Sequence, residues 1–194
     1  MAGWTTHEGA AVVLDRRDVD TDQLIPARFM SASRAEGYGR FLLHDLREDD
    51  ADFPLDRHPG ASVLIAGPNF GCGSSREAAV YALVDAGIRV VVAESFADIF
   101  AGNAVNNGLL PVATPEAAAL RAAIGQGAAP ARVDLASRRL SVAGQELNFA
   151  LSETAQAKLM NGWDDIDLTR VHAGDIRNFR DRRKADHAWA WPSA

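Results

Sequence analysis

Two adjacent hydroxyls and a guanidinium follow a pair of glycines in Gly71-Cys-Gly-Ser-Ser-Arg-Glu77. Glycine at two alternate positions lets the backbone take conformations closed to other residues and brings it close to whatever lies above the turn. Ser74 and Ser75 offer hydroxyl donors, and Arg76 offers a fork that matches a carboxylate or phosphate. The apolar run at 61–66 before the turn reads as a buried strand, and residues 75–86 after it read as a helix. The serines and Arg76 would then sit at a helix N-terminus, where unpaired N–H groups and the helix dipole favour an anion. The chemistry indicated is the gripping of a small anion.

Better-known glycine turns do not fit. A phosphate-binding P-loop needs a lysine after its second glycine, and the only lysines are Lys158 and Lys184. A nucleophile elbow needs glycines two residues either side of its serine, and Arg76 and Glu77 stand there instead. The dinucleotide fingerprint needs a third glycine for close helix packing where this chain has Arg76. Upstream, Asp18, Asp20 and Asp22 alternate like a calcium loop, but Gln23 occupies the place of the required glycine. A polar turn is the better reading. The five histidines show no ligand spacing.

Composition narrows the class further. The chain has 194 residues, 47% hydrophobic and 24% charged, which suits one globular unit over 1–194 with tails at 1–6 and 188–194. A formal charge of −6 disfavours nucleic acid and anionic membrane. The single cysteine, Cys72, excludes an internal disulfide framework and any cysteine-ligated metal or iron–sulfur site held by this chain alone. It reads as a small buried residue. With no signal-like segment and no run of 18 apolar residues, a cytoplasmic protein is expected.

The elements that position the turn follow from periodicity. Strands are expected at 11–14, 61–66, 88–93 and 109–112, with helices at 75–86 (closed by Gly87), 95–107 (capped by Ser95) and 114–124. Strand–helix–strand with wholly apolar strands implies parallel pairing in a covered sheet. Residues 27–35 and 41–46 read as short helices, 47–58 as a surface loop and 125–130 as a linker. A hairpin is expected over 133–143, a further strand at 146–151, and helices at 152–160 and 174–184.

Several motifs occur in register. Val19-Asp-Thr-Asp-Gln-Leu-Ile-Pro26, Gly71-Cys-Gly-Ser-Ser-Arg-Glu77, Ala97-Asp-Ile-Phe100, Asn106-Asn-Gly-Leu-Leu-Pro111 and Met160-Asn-Gly162 together resemble the small subunits of 3-isopropylmalate dehydratase, the swivel-domain members of the aconitase superfamily. The resemblance implies an α/β swivelling domain: a mixed sheet with parallel core strands, flanking helices and an additional β layer. It also implies isomerisation of 2-isopropylmalate to 3-isopropylmalate, by loss and return of water, in leucine biosynthesis. The partner implied is a large subunit carrying a [4Fe-4S] cluster, in a heterodimer, with no cofactor on this chain. Ser74 would be the base, Ser75 and Arg76 would hold substrate carboxylate, and Asp22 would orient Ser74 or Arg76. Phe29 and Met30 would cover the substrate's alkyl branch. Ala78 replaces a histidine usual in this family. A methylmalate or dimethylmalate hydro-lyase subunit, or a non-catalytic anion- or RNA-binding module, are the alternative readings.

Overall fold

The computed structural model describes residues 2–191. One seven-stranded sheet, ordered β4-β3-β2-β1-β5-β6-β7, organises the chain. β1 (Thr6–Leu14), β2 (Val63–Ala66), β3 (Val90–Ala93) and β4 (Leu110–Ala113) run parallel. β5 (Ala128–Asp134), β6 (Arg139–Val142) and β7 (Gln145–Asn148) continue outward from β1 as an antiparallel meander.

Successive residues of a strand face opposite ways, and both faces here are covered. Along β2, Leu64 and Ala66 join one core and Val63 and Ile65 the other, which is why the strand reads as an unbroken apolar run. The first core is completed by α4 (Glu77–Asp85), the start of α5 (Asp98–Asn106) and the segment before β2. That segment contains α1 (Thr21–Leu24), α2 (His44–Glu48) and α3 (Pro54–Arg57). The second core lies under α6 (Ala117–Ile124) and α7 (Glu153–Asn161), and Val133, Leu140 and Val142 of the meander share it with Val63 and Val92. The sheet therefore curls, and the extra β layer expected from the resemblance is the same sheet bent over its own face. Its parallel core and flanking helices bear out the expected fold class.

Several expected boundaries shift. β1 begins at Thr6 because its polar half, which carries no apolar run, pairs antiparallel with β5, Thr6 opposite Asp134 through Val12 opposite Ala128. The same pairing turns the second half of the expected linker at 125–130 into strand. Residues 27–36 form two 3₁₀ turns, Ala27–Phe29 and Arg34–Glu36, where a helix was expected. The expected surface loop at 47–58 encloses α3 and buries Phe53. The N-terminal tail is tied down: the Trp4 backbone donates to the Leu159 carbonyl at 3.0 Å and its indole N–H to the Gly108 carbonyl at 3.2 Å. Of the expected C-terminal tail, 192–194 lie outside the described residues. After α7 come α8 (Asp165–Arg170), unseen in the sequence, and α9 (Ala173–Asp186), longer than expected at both ends. No helix among the described residues is long and apolar enough to cross a membrane.

Candidate active site

The glycine turn leaves the C-terminal end of β2 and is clasped from two sides. On one side the Gly71 N–H donates to the Val19 carbonyl at 2.7 Å, and the Thr21 N–H to the Cys72 carbonyl at 3.0 Å. On the other, the Phe70 N–H reaches the Ser95 carbonyl and the Ala97 N–H reaches the Phe70 carbonyl, each at 3.0 Å. Gly71 has φ +75°, and a Cβ there would lie 2.2 Å from Cγ of buried Phe100. Only glycine lets the turn take that conformation and rest against the ring.

The helix after the turn starts later than the sequence suggested. α4 begins at Glu77 with Arg76 as its extended N-cap residue (φ −123°, ψ 104°), and no side chain caps it. Ser74 and Ser75 therefore precede the helix in the glycine turn. A helix needs successive residues in helical conformation, and the extended Arg76 interrupts that run. A similar correction applies to Ser95. α5 begins at Asp98, and the Ser95 hydroxyl accepts instead from the Asn69 N–H at 2.8 Å, bracing the turn.

The three alternating aspartates each have a separate task, which accounts for the failed calcium pattern. Asp18 accepts from the Asn69 amide at 2.8 Å and from Arg17, and these bonds hold its carboxyl below the usual range. Asp20 caps α1 in a reciprocal box with Gln23. Asp22 pairs with Arg76. Between Asp20 and Asp22, buried Thr21 donates its hydroxyl to the Ser74 carbonyl at 2.9 Å, fixing the backbone that carries the serine. Nothing in the sequence around Thr21 signals this role.

Ser74, Ser75 and Arg76 line one wall of a cleft of about 270 Å³, and Ala97 with Ile99 and Phe100 of α5 line the other. The serines are exposed, and the guanidinium is held by one carboxylate at one edge. That arrangement can take a carboxylate, with a hydroxyl beside it for proton transfer. Phe29 and Met30 are not brought to this cleft. Phe29 stacks on Phe41 at 4.3 Å and packs on the core, while Met30 is exposed on its loop.

Behind the turn, the Asn107 amide donates to the Glu77 carboxylate at 2.8 Å, tying the first residue of α4 to the end of α5. Cys72 is half-buried, and burial with the nearby Asp20 and Asp18 charges pushes its thiol above the usual range. Those surroundings suit a packed thiol better than a nucleophile or metal ligand.

Two other features compete for attention. A larger depression, about 720 Å³ between α3 and α6, offers no hydroxyl. Its Arg121 is committed to Glu94, Asp15 and the Ala66 carbonyl. His44, Asp45 and Glu48 bring ligand atoms within 4.8 Å of one another, a grouping that histidine spacing alone had not suggested, because only one histidine takes part. Asp45 there already pairs with Arg28.

Comparison with known proteins agrees with this fold. The family described as Aconitase C-terminal domain matches residues 1–117. The class defined by fold and site is thus the aconitase-type swivelling domain. The chain is 48% identical over 193 residues to a 3-isopropylmalate dehydratase small subunit of Shewanella baltica, covering 92% of this chain and 96% of the relative. It is 44% identical over 195 residues to that of Shewanella amazonensis, covering 94% and 97%. Among solved structures, 3-isopropylmalate dehydratase (leuD) from Methanocaldococcus jannaschii superposes with TM-score 0.69 at 27% identity, over 89% of this chain and 99% of that one. The chain belongs to the family of 3-isopropylmalate dehydratase small subunits.

Proposed function

We propose that this chain supplies the base and the carboxylate grip of a hydro-lyase that isomerises 2-isopropylmalate to 3-isopropylmalate in leucine biosynthesis. The observation that carries the reading is the cluster of Ser74, Ser75 and Arg76 in one cleft, with Arg76 braced by Asp22. Arg76 and the Ser75 hydroxyl hold a substrate carboxylate. Asp22 keeps the guanidinium from swinging into solvent. Ser74 Oγ takes the proton from the substrate carbon as the C–H electrons form the double bond and the neighbouring C–O bond breaks. It returns the proton to the other carbon when water adds back. A serine oxygen is a weak base, so its anion needs help. Arg76 supplies a charge in the same cleft.

The chain's only cysteine is half-buried with its thiol pushed up, a donor set that does not fit an iron–sulfur cluster. The cluster is therefore assigned to the large subunit that the relatives' names imply, and when bound there it supplies Lewis acidity toward the departing hydroxyl. Met30 is proposed to meet the alkyl branch when its loop lies over the cleft, with Phe29 anchoring that loop through Phe41. Location in the cytoplasm is proposed with the pathway.

The test is to mix the purified chain with its cognate large subunit, anaerobically and with iron restored, and to follow the absorbance of isopropylmaleate formed from 3-isopropylmalate and of methylmaleate formed from 2-methylmalate. Turnover of the isopropyl substrate is expected; absence of any turnover sinks the proposal. Ser74→Ala should lose at least a thousandfold in kcat with the complex still formed. A near-normal rate would move the base elsewhere.

A further inference from the structure

Asn103, Asn106 and Asn107 lie on α5 and its C-cap. Asparagine is a poor helix former, because its amide competes for backbone groups, so each of the three needs a use that offsets its cost. Asn106 accepts from Lys158 at 2.7 Å through Oδ1 and turns its Nδ2 toward Asp165. Asn107 donates to the Glu77 carboxylate at 2.8 Å and to the Asn103 carbonyl at 2.9 Å. Of the three, Asn103 alone has a side-chain amide without a partner among the described residues, although the residue is half-buried.

It is also the one of the three that lines the cleft. Ile99, Asn103 and Asn107 recur at every fourth position and so form one row along α5. The far end of that row is tied to Glu77, the first residue of α4. One turn earlier, Asn103 shares the cleft with the residues that lead into α4, Ser74, Ser75 and Arg76. Other polar groups there are already engaged: the Thr21 hydroxyl goes to the Ser74 carbonyl, and Arg76 gives one edge to Asp22. A carboxylate held by the other edge of Arg76 and the Ser75 hydroxyl still has lone pairs to fill, since its two oxygens offer about four acceptor sites. A neutral amide supplies a donor to it without adding a charge, and a half-buried amide left unpaired is costly.

We propose that Asn103 is a substrate-binding residue whose Nδ2–H donates to the carboxylate gripped by Arg76 and Ser75. This rests on the hydro-lyase reading above and deepens it, and the test keeps the two apart. Steady-state kinetics of the reconstituted two-subunit enzyme are measured for the original chain, N103A and N103D, with thermal melting of each isolated chain. N103A should raise KM for 3-isopropylmalate about tenfold and leave kcat within about threefold, the mark of binding shared by ground and transition states. N103D sets a like charge against the carboxylate and should raise KM roughly a hundredfold at about pH 7.5. Relative to the original enzyme, the N103D penalty should shrink as pH falls toward about 5.5, and the N103A deficit should not. The isolated N103A chain should melt no lower than the original, because the lost amide bonds nothing in the chain and alanine favours the helix. Unchanged KM in both variants overturns the role of Asn103 and leaves the hydro-lyase reading standing. A lower melting temperature for N103A overturns it by showing a structural tie, and a loss of kcat at unchanged KM overturns it by placing Asn103 in the chemical step. No turnover by the original chain overturns the hydro-lyase reading and the role of Asn103 with it.

Discussion

Arg76 and Asp22 meet although 54 positions separate them in the chain, and that contact is proposed to aim the anion site. A guanidinium with one edge fixed to a carboxylate presents its other edge in a defined plane. Asp22→Asn should release it: KM for the substrate should rise about tenfold, roughly 1.4 kcal/mol, with a smaller change in kcat. Steady-state kinetics of the reconstituted enzyme checks this, and an equal fall in kcat at fixed KM would instead place Asp22 in the chemical step. That Ser74, Ser75 and Arg76 come together in one cleft was legible because they are consecutive in the glycine turn. Thr21 was not, because its contribution is a hydroxyl bonded to a backbone carbonyl, and no residue pattern encodes that.

At the scale of elements, the turn is a clasp between the loops after β1 and β3, and Gly71 is where it meets Phe100. Gly71→Ala combines a left-handed backbone with a Cβ overlapping the ring, so a loss of about 2–4 kcal/mol is expected in urea unfolding, with activity falling further than stability. A second clamp, Arg121 to Glu94, fixes α6 across the strand ends: Nη2 donates to Oε1 at 2.7 Å and Nη1 to Oε2 at 2.8 Å. The bonds to Arg121 hold the Glu94 carboxyl below its ordinary 4.5. A depressed carboxyl stabilises the fold fully above its unfolded pKa, and that contribution is lost as pH falls through the lower, folded value. The melting temperature should therefore drop as pH falls below about 4.5, and Glu94→Gln should flatten that part of the profile; an unchanged slope would show that other carboxylates set it. The apolar strands and the left-handed Gly87 closing α4 (φ +91°) could be read ahead of the structure because burial on both faces and positive φ leave a compositional trace. The polar half of β1 and the late start of α4 could not. One depends on a partner strand more than a hundred residues away, and the other on a single extended residue.

For the molecule as a whole, two cores hold the sheet between them while α8 and α9 lie at the periphery. Hydrogen exchange of the isolated chain should show the slowest amides in β2 and β3, whose residues are all buried, and fast exchange throughout α9. Protection of α9 in the isolated chain would mean that it packs on the body in solution. The sequence disclosed the covered parallel sheet but not its curl. The curl arises when the meander's alternating residues find the face that α6 and α7 leave uncovered, a fit set by packing.

β1 is made first yet lies at the centre of the sheet, between β2 and β5. Its outer hydrogen bonds stay unfilled until residues 128–134 exist, so more than a hundred residues emerge during synthesis before the seam can close. Such a high sequence separation is slow to form, and the growing chain carries a bare sheet edge throughout. The vulnerable period of this protein falls during translation, when a chaperone has most to gain by shielding the edge of β1.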